Sequence, residues 1–244
     1  MNGRIKRPEG SSDRLAFPRI GKVRIGKKGA NGYPQSVDYF IPTGKYAGLF
    51  TAAYGDKPQT IQIIFTEDDP AKVCRERYEY RDNSGHLIAH GDGEIFAIWN
   101  GTSYQELSII DHPNLMKAVA NRYPNAKTKK GGDGWDIILT LNFIIPLIRG
   151  VAGIWTFETK GSASTIPHIR DTFDAMLAQR GFCKGIIFDL NVQFATSQSP
   201  GNASRFPVVS LVPNESKDNI NLIKEALEPV KSIKESNNDD NKRQ

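Results

Sequence analysis

His86 and His90 stand four residues apart, Asp92 and Glu94 follow closely, and Cys74 lies upstream. Cys74, His86, His90 and Asp92 match a zinc site in number and type of donor. On a helix the two imidazoles would share a face. The flanking Gly85, Gly91 and Gly93 favour strand and turn instead. There the rings point to one side but stand about 13 Å apart, too far for one ion unless the chain bends. Exposed loop histidines are the alternative. Asp68, Asp69, Asp92 and Asp133 would suit a divalent ion if the fold gathered them, although turn acids also serve to accept backbone hydrogen bonds. No nucleophile elbow, H-E-x-x-H or Walker loop is present. The expectation is no catalytic residue and no cofactor.

Phosphate chemistry has stronger support. Residues 1–30 hold nine Lys or Arg and two acids, a local excess of +7 in a chain whose total is +5. Within them Arg19, Lys22, Arg24, Lys27 and Lys28 surround a Gly-rich turn, where backbone N–H groups and ammonium groups can approach phosphate together. Lys127, Lys129 and Lys130 form a second basic stretch with no acid between Asp111 and Asp133. Lys160, Arg170 and Arg205 flank hydroxyl-rich loops beside the start of an expected helix, a third place to hold an anion. These eleven residues are the expected contacts to a DNA or RNA backbone. Solvated tails, loops and ordinary caps are the bland alternative.

The elements that must position these groups read mainly as strands. Lys22–Ile25, Ser36–Ile41, Thr60–Phe65, Glu94–Trp99, Gly185–Ala195 and Phe206–Val212 have strand character. Tyr78–Arg81 and His86–Ala89 flank the turn Asp82-Asn83-Ser84-Gly85 as hairpin arms. Trp135–Pro146 and Gly150–Thr159 form the clearest apolar hairpin. Helices are expected over Tyr46–Tyr54, Leu115–Asn121 and Ser164–Gln179, the last capped by Ser164 or Thr165 with Pro167 in its first turn. The fold class is α+β: a mixed, mainly antiparallel twisted sheet with a few helices on one face. Ser36–Phe65 and Gly153–Phe194 share the order strand, helix, strand, so two related β-α-β units are an option.

Residues 1–14 read as a disordered basic start, 15–214 as one domain that allows a subdivision near 112–134, and 215–244 as a short helix with a polar tail. The 39% of hydrophobic residues can build a core of that size, yet no run of 18 apolar residues exists. A membrane span is therefore not expected. No apolar stretch follows the basic start and the cysteines are two, so a cytoplasmic protein without disulfides is expected.

Several stretches together resemble one family. They are Phe17–Gly26, the Tyr33-Pro34 turn, Tyr54-Gly55-Asp56-Lys57-Pro58, Gly91-Asp92-Gly93, Gly153–Gly161 and Arg205-Phe206-Pro207-Val208-Val209. In order and spacing they are similar to the phage recombination directionality factor-like proteins over roughly residues 15–214. The resemblance implies an accessory protein that binds a large serine integrase on attachment-site DNA and biases it toward excision, with no chemistry of its own. Many relatives carry a cysteine-rich metal-binding insertion, whereas only Cys74 occupies that region here. The alternative is a backbone-binding subunit of a CRISPR-type ribonucleoprotein complex, with other protein subunits as partners. A metal-dependent hydrolase ranks third.

Overall fold

The computed structural model describes residues 17–197, 201 and 204–214. The expectations for 1–14, for 215–244 and for part of the polar segment near Ser199 lie outside these residues. In chain order the elements are β1 (Arg19–Lys28), β2 (Pro34–Thr43), α1 (Ala47–Tyr54), β3 (Thr60–Ile64), α2 (Pro70–Val73), β4 (Cys74–Arg81), β5 (Leu87–Gly91), β6 (Ile95–Trp99) and β7 (Tyr104–Ser108). There follow α3 (Leu115–Arg122), α4 (Ala126–Lys129), β8 (Trp135–Phe143), β9 (Ile154–Thr159), α5 (Thr165–Arg180), β10 (Ile187–Thr196) and β11 (Arg205–Pro213). None of the described helices is long and apolar enough to cross a membrane.

The strands form two sheets. Eight run in the order β2-β1-β9-β8-β4-β5-β6-β7, antiparallel except for the β1–β9 pair, and three run β11-β10-β3. The mainly antiparallel α+β class matches the sequence reading; the second sheet is new. The two strand-helix-strand stretches explain it. In each, a strand of the large sheet (β2 or β9) leads through a helix to a strand of the small one (β3 or β10). The small-sheet members then pair antiparallel with each other. Neither stretch is a crossover within one sheet.

Strand alternation divides the large sheet into a buried and a polar face. On the buried face Val23, Phe157, Leu141 and Leu139 join Phe40, Phe50, Phe173 and Phe188 in one core shared by both sheets, α1 and α5. Phe65 meets the Phe173 ring edge-on at 5.1 Å and the Phe188 ring at 5.3 Å. Such pairs add about 0.5–1.5 kcal/mol each beyond burial. Further along the same face Tyr80, Phe96 and Trp135 pack under Leu115 and Val119 of α3 as a second cluster.

Three local readings change. The basic stretch after Pro124, for which a solvated loop is the bland alternative, contains the short helix α4. Asn125 accepts from the N–H groups of Lys127 and Thr128, and Thr128 Oγ1 accepts from Asn125 N–H at 2.7 Å, a capping box that starts α4. β2 runs past its expected end at Ile41 to Thr43, with Pro42 opposite Val23. A sheet edge tolerates the missing N–H. Ser164 stands at the cap of α5 without a side-chain bond, and Thr165 Oγ1 instead accepts from Val209 N–H at 3.1 Å, tying the helix to β11.

Candidate nucleic-acid interface

The polar face begins with β4, whose sequence Cys-Arg-Glu-Arg-Tyr-Glu-Tyr-Arg alternates. Tyr78 and Tyr80 turn inward, while Arg75, Arg77 and Glu79 occupy the other side, with Arg81 beyond a bulge. In register, Glu79 stands directly opposite Asp136 of β8. Two carboxylates across an antiparallel pair repel each other. Four cations offset the repulsion. Arg77 Nε donates to Glu79 at 2.8 Å and Arg81 Nη2 at 2.7 Å, while Lys127 and Lys160 both pair with Asp136, the latter at 3.0 Å. Burial pushes the Glu79 carboxyl up, but the bonds from Arg77 and Arg81 outweigh it and hold the group below its ordinary range. Asp136 is lowered in the same way, burial being overcome by Lys127 and Lys160. On the neighbouring strands Lys22 of β1 pairs with Glu158 of β9 at 3.1 Å. In the lattice of ion pairs around Glu79 and Asp136 the fold thus brings Lys127 and Lys160 from distant segments to one carboxylate, while Lys22 pairs separately with Glu158.

The β1–β2 hairpin is built differently. β9 accompanies β1 only over Arg19–Val23. Past Arg24 the hairpin register jumps: Arg24 faces Ile41, but Gly26 faces Ser36, so Ile25 alone stands opposite Val37–Phe40. Residues 37–40 swing aside to bury Val37 and Phe40, and Phe40 N–H donates to Pro58 C=O at 2.8 Å. A bulge of this kind bends and re-aims the ribbon beyond it. That ribbon has rungs Gly26–Ser36, Lys27–Gln35 and Lys28–Pro34. It closes with Gly29 N–H on Tyr33 C=O at 2.8 Å and with Gly32 at φ +78°, a left-handed angle that suits glycine. Lys27, Lys28, Asn31 and Gln35 are exposed, and Tyr33 is 77% exposed. Arg24, Lys27 and Lys28 have no ion-pair partner among the described residues.

The other expected contacts scatter. Lys129 and Lys130 are exposed at the end of α4, and Lys129 borders a cleft of about 610 Å³ with Lys117, Met116 and Trp135. Arg170 of α5 lies away from the lattice and pairs with Glu76 and Asp171. Arg205 of β11 stacks its guanidinium over the Phe194 ring at 4.9 Å. Arg19 is exposed at the start of β1.

The sulfur, imidazole and carboxylate candidates also separate. Cys74 and Cys183 are buried in the main core. Burial above all pushes the Cys74 thiol up to about 12 and the Cys183 thiol up to about 11, which suppresses the reactive thiolate. His86 bonds Asp82 in the β4–β5 turn at 3.1 Å. His90 packs beside the Tyr104 ring on the polar face, where burial first and Arg77 second lower its pKa. Asp92 accepts from the N–H groups of Glu94 and Ile95, bonds that keep its carboxyl low and close the β5–β6 turn. Among the described residues no group of three or more His, Cys, Asp or Glu side chains is arranged to hold a metal ion.

Sequence reasoning passed over Arg75, Arg77 and Arg81, although the alternation in β4 exposes them to view. It also passed over Trp99 and Tyr104, whose rings meet at 5.4 Å beside His90.

Comparison with known proteins agrees with the resemblance in the sequence. A family model described as Gp3-like, recombination directionality factor-like, matches residues 19–214, from the first residue of β1 to just past β11. No curated protein and no solved structure matches the chain. The match spans most of the 244 residues, and on it the chain belongs to the Gp3-like recombination directionality factor-like family.

Proposed function

We propose that the protein is a non-enzymatic accessory factor that modulates a large serine integrase on DNA during phage recombination. The family match over 19–214 carries the reading. A fold does not fix a function, so the side chains must agree with it. Unpaired cations on an exposed hairpin support the reading. Lys27 and Lys28 are exposed on the β1–β2 hairpin with no ion-pair partner among the described residues, and both thiols are buried. The factor works in the cytoplasm, where the DNA is.

Size-exclusion chromatography with a large serine integrase from the same genome tests the reading. A stable complex on attachment-site DNA is expected. Separate elution of the two proteins, with or without that DNA, would overturn it. Co-purification from the native host with short RNA and CRISPR-type subunits would support the ribonucleoprotein alternative instead.

A further inference from the structure

We propose that residues 26–36 form a β-ribbon arm that inserts into the major groove of duplex DNA. The proposal rests on the nucleic-acid part of the functional reading and deepens it, because it selects one of two basic regions and one mode of contact.

Shape is the first support. The three rungs beyond the bulge, at about 3.3 Å per residue, extend roughly 10 Å. The major groove is about 8.5 Å deep and 12 Å wide and admits a two-stranded ribbon. β9 ends its pairing at Val23, so no third strand of the large sheet broadens the arm. Charge is the second support. No acid occurs from Arg19 through Val37; Asp38, the next one, accepts from Gln59 Nε2 at 3.0 Å. Lys27 and Lys28 are therefore free to replace counterions on phosphates. The lattice cations Arg77, Arg81, Lys127 and Lys160 already serve two carboxylates. Surface chemistry is the third. Asn31 and Gln35 are exposed amides, the type that reads adenine edges, and exposed Tyr33 offers an apolar face to bases and sugars.

The test uses the full chain, a fluorescent 20-base-pair duplex of arbitrary sequence and the matching single strand. Wild type is compared with Lys27→Ala/Lys28→Ala and with Lys127→Ala/Lys160→Ala across a salt series. The arm variant is expected to bind the duplex at least tenfold more weakly. Its log–log salt slope is expected to fall by about 1.8, or 0.9 for each lost phosphate contact. The lattice variant is expected to stay within about twofold of wild type, and the duplex to outcompete the single strand. Wild-type protein on saturated duplex is expected to shield guanine N7, which lies in the major groove, from methylation, and the arm variant is expected to lose this shielding. Equal binding by the arm variant, equal affinity for single strands, or unshielded N7 would each overturn the proposal. A wild type that elutes with the integrase yet binds no DNA also overturns it while leaving the accessory reading intact. DNA binding through the arm with no integrase complex does the reverse.

Discussion

The polar face of β4, β8 and β9 and the β1–β2 hairpin are both basic, yet their cations do different work. On the face, Arg77, Arg81, Lys127 and Lys160 surround Glu79 and Asp136, and Lys22 meets Glu158. In the hairpin, Lys27 and Lys28 face solvent beyond a bulge with no described acid to meet them. A cation already held by a carboxylate contributes to the fold and has less to offer a phosphate. Charge counted along the sequence cannot distinguish the two cases, whereas strand register can.

The comparison is broken most severely at Glu79, which is 5% exposed. Glu79→Gln is expected to lower the free energy of unfolding by about 2 kcal/mol, because Arg77 and Arg81 lose a charged acceptor beneath them. Urea denaturation measures it, and a loss below 0.5 kcal/mol would mean that the lattice does not support the fold. Lys27→Ala/Lys28→Ala should show the opposite profile: unchanged urea stability within about 0.5 kcal/mol, as for exposed sites generally, with the loss confined to DNA binding.

Acid sharpens the contrast further. The folded pKa values of Glu79 and Asp136 lie below their unfolded ones, so the folded state binds fewer protons. Their contribution is complete above the ordinary carboxylate range of about 4 and is lost as pH falls through the depressed values. Stability of wild type is therefore expected to fall more steeply than that of Glu79→Gln in a pH 5 to 2 series. Parallel curves would contradict the assignment. The smallest effect is expected for Lys127→Ala, about 0.5 kcal/mol, because Lys160 still holds Asp136 and both lysines are half-exposed. A loss above 1.5 kcal/mol would show that α4 is anchored chiefly through this pair.

Much of the fold is legible from local pattern. Alternation and turn residues mark the β4–β5 hairpin, the β8–β9 hairpin and the strands on either side of α5. The capping box that starts α4 is also local, though Asn125 and Thr128 sit in a stretch whose lysines suggest a loop. What escapes is long-range order. Asp136 meets Lys160 only because β9 folds back on β8, and Glu79 meets Asp136 only because β4 lies on the other side of β8. No spacing in the sequence encodes that row. Of the eleven expected phosphate contacts, Lys22, Lys127 and Lys160 prove to be tied to carboxylates, and Arg170 to Glu76. Lys27 and Lys28, beside the Gly-rich turn, stay clear of acids because that turn lies on the far side of the bulge.

Recombination in a purified system reads the accessory role most directly. The cognate serine integrase is incubated with the hybrid attachment sites that flank an integrated phage, with and without this protein, and excised product is counted. Excision is expected to be low with integrase alone and to rise at least tenfold with the wild type. Excision that stays at the integrase-only level at every concentration of a folded wild type would contradict the assigned role.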